Sequence, residues 1–175
     1  MRNAHSSGLV RHAVRGAIAG AVGTAAMDLL LYSRYRRAEG KDSLVEWEFA
    51  GGVMGWDQAS APGQLGQKLE RFVMQQPPPD RWARATTNVV HWSTGVGWGL
   101  QYGVLASRTI RHPLIRAVAL GPVAWLAGYV ILPLARVYKP IWTYDARTLA
   151  DDLSAHLVFG MSTSIAFAAF KRGRS

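Results

Sequence analysis

A run without any charged residue extends from Ala117 to Ala135 and consists mainly of Ala, Val, Leu, Gly and Ile. An α-helix needs about 20 consecutive apolar residues to cross the hydrocarbon core of a bilayer, so this run predicts a membrane span. Its Gly121-Pro122 dipeptide predicts a kink, because proline removes one backbone hydrogen bond from a helix. The run therefore predicts a membrane fold in which the backbone polar groups of each span are paired within a helix.

Three other apolar stretches have a similar length, which gives four predicted spans at about 13–32, 81–107, 114–134 and 149–170. We therefore expect an all-α fold, an integral membrane four-helix bundle that occupies residues 1–175 as a single domain.

The connection between the first and second spans, residues 33–79, is too long for a bare loop. Ser43-Leu-Val-Glu46 has the capping-box pattern of a helix start. Leu65, Leu69, Phe72 and Val73 have the spacing of one apolar helix face. We expect short amphipathic helices in this surface connection.

Basic residues give the chain a formal net charge of +9. They flank the apolar runs and match no nucleic-acid-binding motif, so nucleic acid is not an expected partner. The expected partners are the lipid bilayer and a second copy or another membrane protein. The positive-inside rule predicts that both termini are cytoplasmic. The basic residues that support this topology are Arg2, Arg11, Arg15, Arg108, Arg111, Arg116, Lys171, Arg172 and Arg174.

Small residues recur at every fourth position in three of the predicted spans, which places them on one narrow stripe of each helix. Each glycine costs about 1 kcal/mol against alanine inside a helix, so such stripes predict close helix packing. The predicted packing glycines are Gly16, Gly20, Gly95, Gly99, Gly103 and Gly160. One end of each stripe is ionisable: Gly16-Gly20-Thr24-Asp28, His91-Gly95-Gly99-Gly103 and His156-Gly160-Ser164-Ala168.

The ionisable ends of these stripes fall at similar distances from the same predicted end of the bundle. At about 1.5 Å per residue they occupy one layer, which Tyr129 near the end of the third span also reaches. Ionisable side chains inside a span usually face a partner. The sequence therefore predicts an intramembrane polar site of Asp28, His91, Tyr129 and His156.

Several functions suit this layer, and the sequence leaves them open. A structural or interaction role needs only hydrogen bonds that hold helix register, each worth about 0.6 kcal/mol. Imidazole has a pKa of about 6.5, so beside a carboxylate it suits a proton or small-ion site or a pH-responsive element.

No cofactor is expected, although two are compatible with the residues. His91 and His156 could ligate a b-type haem, and a divalent metal could use His91, His156, Asp28 and Asp152. The chain has no cysteine, and none of its serines lies in a G-x-S-x-G elbow. We assign no catalytic residue and expect no enzyme activity.

The second and fourth spans carry a resemblance to a known family. His91 opens a glycine-rich helix that ends in Tyr102-Gly103, and the last span contains His156-Leu-Val-Phe-Gly160. This pattern resembles the small bacterial inner-membrane proteins of the YagU type, which have no established biochemical activity. The resemblance implies a location in the bacterial inner membrane and a role in acid response. The connection 33–79 has no counterpart in that family.

Overall fold

The computed structural model describes residues 2–106 and 113–172, and all regular structure within those ranges is helical. The all-α prediction is therefore confirmed. The described ranges contain six α-helices: α1 (Arg2–Arg37), α2 (Leu44–Glu48), α3 (Ala61–Met74), α4 (Ala83–Ala106), α5 (Pro113–Leu134) and α6 (Ala146–Arg172).

The helices match the four predicted spans, with different ends. Helix α1 is 36 residues long and extends beyond 13–32 in both directions. Helix α6 begins three residues before the predicted position 149, because Asp145 caps it by accepting hydrogen bonds from the Thr148 backbone N–H and hydroxyl at 2.9 and 2.7 Å. Helix α5 is continuous through Pro122. The predicted end of the second span at 107 lies outside the described residues.

Two helical segments of the described chain have the length and hydropathy of a membrane span, Gly8–Arg37 in α1 and Ala146–Phe170 in α6. The segment Val118–Leu134 in α5 is apolar but shorter. The membrane four-helix bundle therefore stays a prediction. The first and last long helices of the chain, α1 and α6, give it the clearest support.

Helix α1 lies between α4 and α6 and is antiparallel to both. A Cβ atom on Gly20 would lie 2.8 Å from the Gly99 Cα, and one on Gly16 would lie 2.8 Å from the Gly103 Cα. Because real Cβ atoms do not approach other atoms so closely, the α1–α4 contact requires glycine on both helices.

Helix α5 packs on the other side of α6, where Gly121 lies against the backbone of His156 and Leu157. A core of Leu120, Ala124 and Phe159 joins these two helices. Met27 of α1 and Trp98 and Tyr102 of α4 pack against that core, so the four long helices share one apolar interior.

The connection between α1 and α4 is helical, as expected. Ser43 and Glu46 form the predicted capping box, in which the Glu46 N–H donates to Ser43 Oγ at 3.3 Å and the Ser43 N–H donates to Glu46 Oε2 at 3.0 Å. Trp47 of α2 packs on the rings of Tyr32 and Tyr35, with centroids 5.5 and 6.1 Å away. Helix α2 is thereby held against the end of α1.

The other end of α2 is tied to the start of α4. Arg84 Nε and Asn88 Nδ2 both donate to the carbonyl oxygen of Phe49, each at 3.0 Å. Helix α2 therefore covers the end of the bundle where α1 finishes and α4 begins.

Candidate functional site

An aspartate and a histidine meet at the covered end of the α1–α4 interface. His91 Nε2 lies 2.9 Å from Asp28 Oδ2, and the side chains of His91 and Asp28 are 26% and 4% exposed. Such a short contact between a carboxylate and an imidazole is a strong hydrogen bond, and it becomes an ion pair when the histidine is protonated.

The glycine stripes explain why these two short side chains can meet. Asp28 lies one turn beyond Thr24, and His91 lies one turn before Gly95. Thr24 packs directly against Gly95, while its hydroxyl donates to the Gly20 carbonyl at 3.0 Å. Because the two backbones approach this closely, the next turn brings Asp28 and His91 within hydrogen-bonding distance.

Glu48, at the end of α2, is a third ionisable group of this site, and it was not among the residues predicted from the sequence. One ligand atom from each of Asp28, Glu48 and His91 lies within 4.8 Å of the other two. Glu48 Oε1 is buried and makes no hydrogen bond of standard geometry, while the Glu48 carboxyl interacts with the side chains of Asp28 and Trp92. The sequence offered one indication of this role. Glu48 is an acidic residue between two aromatic residues, Trp47 and Phe49, and the start of its helix was predicted.

The electrostatics of this cluster, hereafter the Asp28–Glu48–His91 cluster, favour a bound proton. Burial, and after it the nearby Asp28 carboxylate, raises the pKa of the Glu48 carboxyl from 4.5 to about 7, while His91 opposes the rise. The ion pairs of the described residues include no lysine or arginine at either carboxylate. Two carboxylates and one imidazole therefore share the cluster without a permanent cation.

This arrangement predicts that the protein loses stability as the pH rises from about 4.5 to about 7. The folded state holds a proton on Glu48 that the unfolded chain releases near pH 4.5, so the contribution is complete below that pH and is lost through the folded pKa. Thermal unfolding in detergent at a series of pH values measures the slope.

Two substitutions by glutamine on α2 provide the test and its matched control. Glu48→Gln should flatten the slope in this window. Glu46→Gln should leave it intact, because hydrogen bonds from Ser43 lower the pKa of Glu46 and glutamine can keep the capping box. Equal slopes in the wild type and Glu48→Gln would contradict the assignment of the proton to Glu48.

The remaining predicted site residues meet between α5 and α6. His156 Nδ1 lies 3.4 Å from Asp152 Oδ1 and 3.0 Å from the Asp152 carbonyl oxygen. Tyr129 is buried and interacts with the Asp152 carboxylate, as does Trp125. The rings of Tyr138 and Tyr144 pack on Tyr129, with centroids 5.7 and 5.5 Å away.

The predicted layer is thus built from two separate pairs. Hydrogen bonds of the described residues join Asp28 to His91 and His156 to Asp152, and none of these bonds links one pair with the other. The predicted metal ligands are divided in the same way. Among the described residues, Asp28, Glu48 and His91 come together within ligand distance.

A haem between His91 and His156 does not fit this geometry. The space beside Gly95, one turn from His91, is filled by Thr24 of α1 and leaves no room for a macrocycle there. His91 directs Nε2 at Asp28, so its ligating nitrogen already has a partner.

Comparison of the chain with family models, with curated proteins and with solved structures finds no match. The resemblance to the YagU-type proteins therefore stays a prediction, and the function is argued from the site alone.

Proposed function

We propose that the protein is an integral membrane helical bundle whose Asp28–Glu48–His91 cluster binds and releases a proton beneath the α2 cap. The observation that carries the proposal is the buried Oε1 of Glu48 placed against the Asp28–His91 pair. The bacterial inner membrane, cytoplasmic termini and a role in acid response belong to the same proposal.

The membrane part of the proposal is supported by the surface of the long helices. The apolar windows of α1 and α6 are each only 33% buried, whereas the core helix of a water-soluble protein is mostly buried. Large apolar side chains face outward on all four long helices, and many exposed apolar side chains are typical of a protein that contacts lipid. Examples at half exposure or more are Ile18, Leu105, Val123 and Ile165.

The packing of helix α1 supports its presence in the mature protein, in which the first apolar segment is not cleaved as a signal peptide. It lies at the centre of the bundle and supplies Asp28 to the site, with contacts to α4 through Gly16 and Gly20 and to α6 through Gly23. Cleavage of α1 as a signal peptide would remove both the central helix and the carboxylate of the pair.

The response to pH follows from charge repulsion under α2. When Glu48 is protonated, one carboxylate and one imidazole pair at the α1–α4 interface. When Glu48 loses its proton, two carboxylates lie within 4.8 Å of each other in a partly dry site, and repulsion favours separation of α2 from the bundle. Proton binding to Glu48 is thereby coupled to the position of helix α2 on the bundle.

A cysteine-free chain makes this coupling measurable with a single label. Val45→Cys places a nitroxide on the outer side of α2, where Val45 is 66% exposed. In lipid nanodiscs we expect the label to become more mobile as the pH rises through about 7. The transition should be absent when Glu48→Gln is added and retained when Asp152→Asn is added. A transition that persists without Glu48 would overturn the proposal.

A divalent cation is the second candidate, favoured by the three ligand atoms within 4.8 Å. One nitrogen and two carboxylate oxygens suit Zn²⁺ or Mn²⁺, and the ion would replace the shared proton. Titration of metal-free protein with ZnCl₂ or MnCl₂ decides between the candidates. Saturable binding that is lost in Asp28→Asn and His91→Gln but retained in Asp152→Asn would establish the metal, whereas no binding supports the proton.

A further inference from the structure

Helix α3 has three distinct faces, of which one packs on the described part of the protein. The packing face carries Gly63 and Gly66, which lie against Thr87 and Thr86 of α4, and Glu70, which accepts a hydrogen bond from the Thr86 hydroxyl. The nearest α4 neighbours of Gly63, Gly66 and Glu70 lie between Thr86 and Val90. Helix α3 therefore packs closely on the first turns of α4 through this face.

The second face of α3 is apolar and has no cover in the structure. Leu65, Leu69, Phe72 and Val73 fall within about 100° of the helix circumference. The side chains of Leu69, Phe72 and Val73 are 56%, 74% and 78% exposed. An exposed apolar stripe of this kind indicates a surface that contacts another apolar phase.

The third face is polar and basic. Gln64, Gln67, Lys68 and Arg71 occupy the side of α3 away from the apolar stripe, and Lys68 and Arg71 are exposed. An apolar face opposite a basic face is the pattern of a helix that lies in the interfacial region of a bilayer, with its cations near anionic lipid headgroups.

We infer that α3 lies in the headgroup region of an anionic lipid bilayer with Leu69, Phe72 and Val73 directed into the acyl chains. This inference rests on the proposed function, in which α4 crosses that bilayer, because α3 packs on the first turns of α4 and so lies near the end of a spanning helix. On α4, the side chain of Val89 lies in the same turn as the residues that contact α3 and is 65% exposed.

The absence of cysteine again permits a direct test with single nitroxide labels. The full chain is reconstituted in vesicles of phosphatidylcholine and phosphatidylglycerol, with labels at Phe72→Cys, Val73→Cys and Lys68→Cys. Accessibility to oxygen, which concentrates in lipid, is compared with accessibility to a water-soluble nickel chelate. We expect a several-fold oxygen preference at residues 72 and 73 and a nickel preference at residue 68.

A reference label at Ile165→Cys on α6, where the side chain is 70% exposed, distinguishes failure of the α3 inference from failure of the membrane bundle. Nickel access at residues 72 and 73 with oxygen preference at 165 would overturn the inference and leave the spanning bundle intact. Exclusion of both reagents at 72 and 73 would also overturn it, because another protein chain would then cover the stripe. Nickel access at 165 would contradict the proposed membrane bundle itself.

Discussion

Gly99→Ala should destabilise the protein by about 3 kcal/mol, because the new Cβ meets backbone atoms that cannot move aside. It would lie 2.5 Å from the Gly20 Cα and closer still to the Gly16 carbonyl oxygen. Helices α1 and α4 must separate to accept it, and separation also removes the contact between Asp28 and His91. Reversible unfolding in mixed micelles, followed by circular dichroism, measures the loss.

Gly97→Ala is the matched control on the same helix. A Cβ on Gly97 has no atom within 4 Å, so this variant should be unchanged or more stable by up to about 1 kcal/mol through helix propensity. Equal stabilities of the two variants would show that α1 and α4 do not pack through their glycines.

Asp28→Ala should cost about 3 to 5 kcal/mol, the usual effect of removing one partner from a buried ionic pair. Asp28 is 3% exposed and accepts the hydrogen bond of His91, whose ring would lose its partner in a partly buried position. The same unfolding measurement applies, at a pH below 7 where the cluster is protonated on Glu48.

Asp152→Ala is the comparison for the second pair. Asp152 is 34% exposed, so its pair with His156 at 3.4 Å contributes about 1 kcal/mol or less, and loss of its interactions with Tyr129 and Trp125 brings the expected cost to about 1 to 2 kcal/mol. A similar cost for both aspartates would contradict the distinction between a buried site at α1–α4 and a half-exposed pair on α6.

The sequence was most informative about the long helices and about the pairing of Asp28 with His91. Glycine at every fourth position restricts which helix faces can approach, and the antiparallel order of α1 and α4 then aligns the ends of the two stripes. The same pattern could not decide whether His156 joins that pair, because its nearest carboxylate, Asp152, lies one turn away on the same helix.

Glu48 could not be predicted from spacing, because its place depends on tertiary contacts of a five-residue helix. The capping box at Ser43 indicates where α2 starts. Its docking depends on the ring contacts of Tyr32 and Tyr35 with Trp47. It also depends on the hydrogen bonds of Arg84 and Asn88 to the Phe49 carbonyl, which join distant parts of the chain.

The most direct test of the proton site is infrared difference spectroscopy of the protein in lipid nanodiscs across roughly pH 5 to 8. We predict a protonated carboxyl band that disappears with a midpoint near pH 7, is missing in Glu48→Gln and is retained in Glu46→Gln. A wild-type spectrum with ionised carboxylates alone throughout this range would contradict the account.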